Sequence, residues 1–233
     1  MNDSYRIRRI IFAVIIFAGF CFLIAVNTPN QNEAQPVNNV DTKPSVKNQA
    51  IDELAKLTVK GRAPKTGYTR EQFGADWTVT SGCNTRNIIL NRDMTAVTVD
   101  EICNVTKGTL HDPYSGKIIE FIRGSDSSAA VQIDHVVALS DAWQKGAQQM
   151  TQSERIALAN DPLELLAVDG PTNMQKGDGD AATWLPPNKP FRCQYVARQI
   201  AVKIRYKLWV TAAEHDAMAG VIDKCVGLVL PSP

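Results

Sequence analysis

The sequence reads Ile133-Asp134-His135-Val136-Val137-Ala138-Leu139 near its centre. Thirty-eight residues after His135 comes a second polar cluster, Asn173-Met174-Gln175-Lys176-Gly177-Asp178. Burying a carboxylate and an imidazole among valines is costly unless partners or a metal replace the lost hydration. The second cluster offers such partners, because it supplies a neutral oxygen ligand, a cation and another carboxylate.

This inventory of side chains suits metal-assisted cleavage of a phosphodiester. Asp134 and Asn173 are candidate ligands for Mg²⁺, Mn²⁺ or another divalent cation, since magnesium accepts one or two protein oxygens and completes its shell with water and phosphate. His135 is the candidate general base, because the pKa of a histidine lies near neutral pH. Lys176 is expected near the scissile phosphate or the leaving oxygen.

At these positions the chain resembles the HNH (ββα-metal) endonucleases, and most closely a secreted HNH-like family related to the C-terminal domain of GmrSD restriction enzymes. The family pattern is Asp-His on a first strand, Asn near the second, and Asn-x-x-Lys entering a helix. Asp134-His135 and Asn173-x-x-Lys176 match its first and last elements. Further matches, within residues 66–225, are Cys83-x-Thr85-Arg86, Arg92-Asp93, Asp112-Pro113-Tyr114-Ser115-Gly116, Asn160-Asp161-Pro162, Lys176-Gly177-Asp178 and Trp184-Leu185-Pro186-Pro187.

The middle position of the pattern departs from the family. It falls on Glu164, nine residues before Asn173, where the family has an Asn that helps to orient the histidine. A carboxylate here would accept a hydrogen bond from the imidazole and raise the histidine pKa, which gives Glu164 a catalytic role. The alternative is an ordinary strand residue that points away and leaves the histidine less well held.

The resemblance implies an α+β fold with a ββα-metal (HNH) core, additional helices and short strands. It implies an exported, monomeric enzyme that hydrolyses DNA, or RNA, with a divalent cation. A rival interpretation is a catalytically weak or inactive ectodomain that uses the same scaffold to bind DNA or a protein partner. The departure at Glu164 favours the rival, whereas the set Asp134, His135, Asn173 and Lys176 favours the enzyme.

The N-terminal segment predicts export. Arg6, Arg8 and Arg9 precede Ile10 to Val26, seventeen residues without a charge, which is typical of a signal peptide or an N-terminal membrane anchor. Residues 1–26 are assigned to this segment. Residues 27–49 are rich in Asn, Gln and Pro and predict a disordered linker. Residues 50–233 form the nuclease-like domain, placed outside the cell, either secreted or tethered to the membrane.

Four of the five cysteines lie in the exported part, and none belongs to a Cys-x-x-Cys pair. An even number behind an export signal favours two disulfides over a zinc site, with three possible pairings. Proximity in the sequence and the family resemblance favour Cys83 with Cys103, and Cys193 with Cys225.

The formal net charge of the chain is only +1, so a basic surface that binds nucleic acid must be confined to one part of the protein. The stretch Lys189–Lys207 has six basic residues and no acidic one. We predict that it tracks phosphates, and the alternative is a solvated helix face. The residues assigned to this contact are Arg192, Arg198, Lys203 and Arg205.

The hydrophobic periodicity predicts the following elements. Helices are expected at residues 51–57, 140–149, 152–159, 173–178, 191–209 and 212–225. Strands are expected at residues 87–90, 96–99, 117–122, 131–139 and 163–168. Tyr68, Phe73 and Trp77 are expected in the core. Since side chains alternate along a strand, Asp134 and His135 reach one metal site only if their strand ends, bends or bulges there.

Overall fold

The computed structural model describes residues 49–124 and 128–232. The predicted signal or anchor and all but the last residue of the predicted linker lie outside these described residues. Within them, no helix has the length and apolar character that crossing a bilayer requires.

The described residues form a mixture of helices and antiparallel strands, in agreement with the predicted α+β class. The helices are α1 (Gln49–Leu54), α2 (Thr85–Asp93), α3 (Leu139–Gln144), α4 (Gln152–Ala159), α5 (Gly170–Lys176), α6 (Arg192–Arg205) and α7 (Ala212–Ile222). The strands are β1 (Val79–Thr80), β2 (Cys83–Asn84), β3 (Met94–Val99), β4 (Val105–His111), β5 (Ile118–Ile122), β6 (Val131–His135) and β7 (Leu165–Asp169). The strands pair as β1-β2, β3-β4-β5 and β6-β7.

The pair β6-β7 and the helix that follows it carry the motif residues. In the antiparallel register, Asp134 lies opposite Leu166 and His135 opposite Leu165. β7 runs directly into α5, because Asp169, its last residue, also caps the helix by accepting a hydrogen bond from Thr172 N at 3.0 Å. The strand, turn and helix predicted here are therefore confirmed, with shifted boundaries.

Two elements differ from the sequence prediction. Residues 87–90 belong to helix α2 and the predicted strand is wrong, because the Asn84 side chain accepts a hydrogen bond from Asn87 N and caps a helix. The single helix predicted at 140–149 stops at Gln144. Gly146 there has φ 129°, a conformation that an α-helix cannot include and that favours glycine.

The apolar core has two parts. The larger lies between α1, α3, α4, α6 and α7, and its buried members include Phe73, Trp143, Tyr195 and Ile200. The smaller lies between α2, the three-stranded sheet and β6-β7. Both predicted disulfides are present: Cys83–Cys103 links β2 to the loop after β3, and Cys193–Cys225 links α6 to the end of α7.

A network of buried ions joins the helical part of the protein. Lys145 has no exposed side-chain surface, and its Nζ lies within 2.8 Å of three carboxylates, those of Asp141, Asp180 and Glu214. An ammonium group this deep is tolerated only when its lost hydration is replaced by charged partners. The three carboxylates thus hold Lys145 between α3, α7 and the loop after α5.

Two further cations complete this ion network. Lys203 on α6 is also fully buried, with Nζ 3.0 Å from Glu214 Oε1. Arg62 Nη2 lies 2.8 Å from both Asp141 and Asp180, which attaches the segment before β1 to the body of the protein. Burial would raise the pKa of Asp180, but the hydrogen bond and charge of Lys145 lower it to about 2. Three cations and three anions therefore compensate one another.

We expect Lys145→Met to lower the free energy of unfolding by about 3–5 kcal/mol, because it leaves buried carboxylates without their main cation. Urea unfolding followed by circular dichroism measures this. Lys107→Met, on the exposed face of β4, is the matched control and should leave the free energy of unfolding nearly unchanged. A Lys145→Met protein as stable as the control would contradict the role of the network.

Candidate active site

The end of β6 and the helix α5 bring the motif residues into one cleft. Because β7 pairs with β6 and leads into α5, residues 42 positions apart in the sequence become neighbours. The cleft has a volume of about 430 Å³. Its lining includes Asp134 and His135 from the end of β6, Asn173 from α5, and Ser140 and Asp178.

Asp134 lies at the base of this cleft in a buried ion pair. Lys176 Nζ donates to Asp134 Oδ1 at 2.9 Å and to the His135 carbonyl at 2.7 Å. The hydroxyl of buried Tyr114 donates to Asp134 Oδ2. Both carboxylate oxygens therefore accept hydrogen bonds, and Asp134 is held in one orientation.

Lys176 forms a buried ion pair with Asp134. Its side chain has no exposed surface and its ammonium faces Asp134. Contact with the scissile phosphate, as expected from the sequence, would require the ammonium to leave this pair. The structure instead supports a positioning role, in which Lys176 joins α5 to β6.

The strand ends at His135, one of the outcomes predicted from the alternation of side chains, and the His135 ring contacts other neighbours than Asp134 does. Its Nε2 lies 3.0 Å from the Ala159 carbonyl oxygen. A carbonyl only accepts, so Nε2 carries the proton and Nδ1 is the basic nitrogen. The indole of Trp77 stacks on the imidazole, with ring centroids 5.7 Å apart and an interplanar angle of 8°. These two contacts fix the tautomer and the plane of the ring.

The protonation state of His135 follows from its surroundings. Burial above all, and then the charge of Arg70, lower the pKa of His135 to about 3. The imidazole is therefore neutral at physiological pH. A neutral ring protonated on Nε2 has its lone pair on Nδ1, which is the form that a general base requires.

Glu164 does not take the role expected from the sequence. Its carboxylate accepts hydrogen bonds from Val137 N at 3.2 and 3.3 Å, and it is completely buried. Burial raises its pKa well above the ordinary range. The ring of His135 is held by the Ala159 carbonyl, so the expected hydrogen bond between His135 and Glu164 is replaced by a backbone contact.

Asn173 and Asp178 bring further oxygen atoms to the cleft. Asn173 Nδ2 donates to Gln132 Oε1 at 2.9 Å, which leaves the side-chain oxygen of Asn173 as its ligating atom. Asp178 accepts from Ser140 Oγ at 3.2 Å, and Lys65 Nζ lies 3.4 Å away. The carboxylate of Asp178 is largely exposed.

These donors fit a hard cation held by few protein ligands. In residues 49–124 and 128–232, no three His, Cys, Asp or Glu side chains stand close enough to hold a metal by themselves. Magnesium needs only one or two protein oxygens, and each carboxylate oxygen keeps a second lone pair after accepting one hydrogen bond. Asp134 and Asn173, which line the same cleft, meet that requirement.

The basic stretch predicted to track phosphates is not one surface. Lys203 is fully buried in the ion network, so its assignment to nucleic-acid binding is wrong. Arg205 is half-exposed, and its Nε lies 3.0 Å from Asp161 Oδ2. A cation already paired with a carboxylate has less attraction left for phosphate.

The two remaining arginines of that stretch bind backbone carbonyls. Arg192 Nε donates to the Pro186 carbonyl at 2.8 Å. Arg198 Nη1 donates to the carbonyls of Leu163 and Leu165 at 3.2 and 3.1 Å, beside the start of β7. Both arginines thus hold loops next to the core, and their part in nucleic-acid binding stays a prediction.

Sequence reasoning missed several residues around the site. Tyr114 belongs to the matched stretch Asp112–Gly116, yet no role was assigned to it. Trp77 was expected in the core, but its contact with His135 was not foreseen. Ala159 acts through its carbonyl, which no side-chain pattern reveals. Arg70 lines the cleft and carried no motif signal.

Comparison with known proteins identifies the family. The model of the GmrSD restriction endonuclease C-terminal domain matches residues 84–221, so the chain belongs to this family and is related to nucleases. A protein of Arthroderma benhamiae (strain ATCC MYA-4681 / CBS 112371), described as an uncharacterized secreted protein, is 38% identical over 190 residues. That alignment covers 80% of this chain and 90% of the relative. No solved structure matches the chain.

We expect the imidazole of His135 to stay neutral and protonated on Nε2 from about pH 8 to about pH 5, where an unperturbed histidine titrates. In the folded protein the pKa of His135 is about 3, below the ordinary value of 6.5, so the ring takes up a second proton only as the pH falls toward 3. Long-range proton–nitrogen NMR measures both the tautomer and the titration. Trp77→Ala, which admits water to the ring, should move the titration upward. Protonation on Nδ1, or titration near pH 6.5, would refute the assignment.

Proposed function

We propose that this protein is a divalent-metal-dependent endonuclease that hydrolyses phosphodiester bonds of nucleic acid, DNA above all. In this proposal β6, β7 and α5 are a ββα-metal (HNH) core. One observation carries it: a neutral imidazole with its Nε2 proton held by a carbonyl lines the same cleft as Asp134 and Asn173. Membership of the GmrSD C-terminal domain family supports the same reaction class.

His135 is the general base of the proposed reaction. A water molecule forms a bond to phosphorus while its proton passes to Nδ1 of His135, and the P–O bond to the leaving sugar oxygen breaks. The leaving oxygen takes a proton from solvent water, and the Ala159 carbonyl keeps the imidazole oriented. A pKa of about 3 makes a weak base, but bound phosphate would offset the positive charge of Arg70, which helps to depress the pKa. Substrate binding would therefore raise the pKa of His135 toward the useful range.

Asp134 and Asn173 are the proposed ligands of Mg²⁺, Mn²⁺ or another divalent cation. A bound cation would supply Lewis-acid stabilisation of charge at the phosphate. Lys176 and Tyr114 position Asp134 by holding both of its oxygens. Lys176 is in this proposal a positioning residue, and Glu164 supports the backbone at Val137.

We propose that the protein acts outside the cell as a monomer, released or tethered by its N-terminal segment. Two disulfides support export, since such bonds persist in oxidising compartments. The basic and apolar pattern of residues 6–26 supports it too. The name of the relative from Arthroderma benhamiae, a secreted protein, agrees with this location.

A second candidate is a catalytically weak or inactive ectodomain that binds DNA or a protein. The observation that favours it is the state of Asp134, whose two oxygens already accept from Lys176 and Tyr114. A cation would have to compete with an ammonium group 2.9 Å from Oδ1. Cleavage assays separate the two candidates, because only the enzyme responds to the metal.

We expect the full chain to nick supercoiled plasmid DNA with Mg²⁺ or Mn²⁺ and to be inactive in EDTA. Asp134→Ala should abolish nicking because it removes the main oxygen ligand. Asp216→Ala, at an exposed carboxylate on α7, is the matched control and should nick normally. Agarose gels resolve the nicked product. Undiminished cleavage in EDTA would rule out the metal.

We expect His135→Ala to slow cleavage by about 10²–10⁴, the range typical of losing a general base. Glu164→Gln should leave the rate and the acidic limb of the pH–rate profile nearly unchanged, since its carboxylate contacts Val137 N and not the imidazole. Initial rates across pH provide both readings. An acidic limb displaced to lower pH in Glu164→Gln would restore Glu164 as the partner of His135.

A further inference from the structure

Two cavities lined by His135 and a third beside Asp178 have lining residues in common. The first, of about 220 Å³, is lined by Trp77 and Asn160 and shares Arg70 and His135 with the cleft of about 430 Å³ already described. The cleft shares Asp178 with a third cavity of about 520 Å³ on the other side of α5. We call these three cavities together the groove.

One wall of the groove comes from the segment that precedes the family match. Arg62 and Lys65 line the third cavity, Tyr68 and Arg70 the cleft, and Arg70 and Trp77 the first cavity. The match to the family model begins only at residue 84. Basic and aromatic side chains thus lie along this wall, together with the carboxylate of Asp76 in the first cavity.

The cations of this wall differ in what they can offer a ligand. Arg62 is engaged by two carboxylates of the ion network. Lys65 meets Asp178 at 3.4 Å in a pair with both side chains more than half exposed, which is a weak interaction. Among the described residues, no carboxylate oxygen lies close enough to Arg70, within 4.0 Å, to form an ion pair with it. Arg70 and Lys65 are therefore available to phosphates.

The depth of the groove limits the shape of the ligand. Asp134 and His135 are each only 6% exposed, so a phosphate must enter the groove to reach them. The backbone of a stiff duplex is convex, whereas a single strand is flexible enough to follow a concave path. Grooves that bind single strands combine cations that follow the phosphates with aromatic rings on which bases stack.

Resting on the function proposed above, we propose that this groove binds single-stranded nucleic acid. Arg70 binds the phosphate beside His135, and Lys65 binds a neighbouring phosphate on the side of Asp178. Tyr68 packs partly buried against Phe73 and Trp143, and Lys65 Nζ lies 5.3 Å from its ring centroid. When Lys65 turns to a phosphate, it leaves this face of the ring for a base to stack on. The protein would then cleave single-stranded or locally opened DNA in preference to an intact duplex.

Binding is measured by fluorescence anisotropy on full-chain His135→Ala protein, without divalent cations. The probes are a labelled single-stranded DNA oligonucleotide and the same strand in a duplex. We expect the single strand to bind at least about tenfold more tightly, which is within the effect of one stacked base. Equal binding, or tighter binding of the duplex, overturns the proposal.

Variants of the wall locate the binding. Arg70→Gln and Lys65→Gln should each reduce the slope of log affinity against log salt by about 0.7, the loss of one phosphate contact on a single strand. Tyr68→Ala should weaken binding about five- to one-hundredfold, whereas Tyr68→Phe keeps the ring and the affinity. Lys107→Gln, on the exposed face of β4, is the control and should change neither quantity. Wall variants that match this control overturn the assignment.

Cleavage by the unaltered chain separates this inference from the proposed function. Equal cleavage of single strand and duplex would overturn the groove and leave the nuclease in place. Selective binding that depends on Arg70, Lys65 and Tyr68, without any cleavage, would support the groove and overturn the nuclease.

Discussion

The buried cation of Lys145 is the constraint on which the arrangement of the helices depends. An ammonium group without exposed surface is stable only where carboxylates replace its hydration, and here they come from α3, α7 and the loop after α5. Arg62 and Lys203 share these carboxylates and add two more chain segments. The ion network therefore holds in place both α3, beside the cleft, and the segment that forms one wall of the groove.

Another buried ammonium group, that of Lys176, is also balanced by a carboxylate at the base of the cleft. Lys176 and Asp134 are a buried ion pair that joins α5 to β6, and they are also half of the sequence motif. Asp134 is thus required to balance a buried charge and is proposed to bind a cation. Removing Asp134 would therefore leave the buried Lys176 without its counter-ion as well as removing the proposed ligand.

The sequence predicted the strand–strand–helix order around the motif, the two disulfides and the helix at residues 152–159. It failed on the basic stretch, because a run of basic residues does not say which face of a helix is buried. Lys203 lies three residues after Ile200 and seven after Val196, so it shares their inward face on α6. Its burial becomes possible only because Glu214 on α7 meets it there.

Local sequence determined that Asp134 and His135 are neighbours on a strand and that Asn173 and Lys176 share a short helix. These features depend on strand and helix patterns within a few residues. Only the tertiary structure decided which atoms the functional groups meet. The hydrogen-bond partner of the His135 ring is the carbonyl of Ala159 and not the carboxylate of Glu164. The cationic side chain that lines the cleft is Arg70, which lies outside the predicted basic stretch. Backbone carbonyls are chemically alike at every position, so a sequence cannot reveal which of them folding brings to the imidazole.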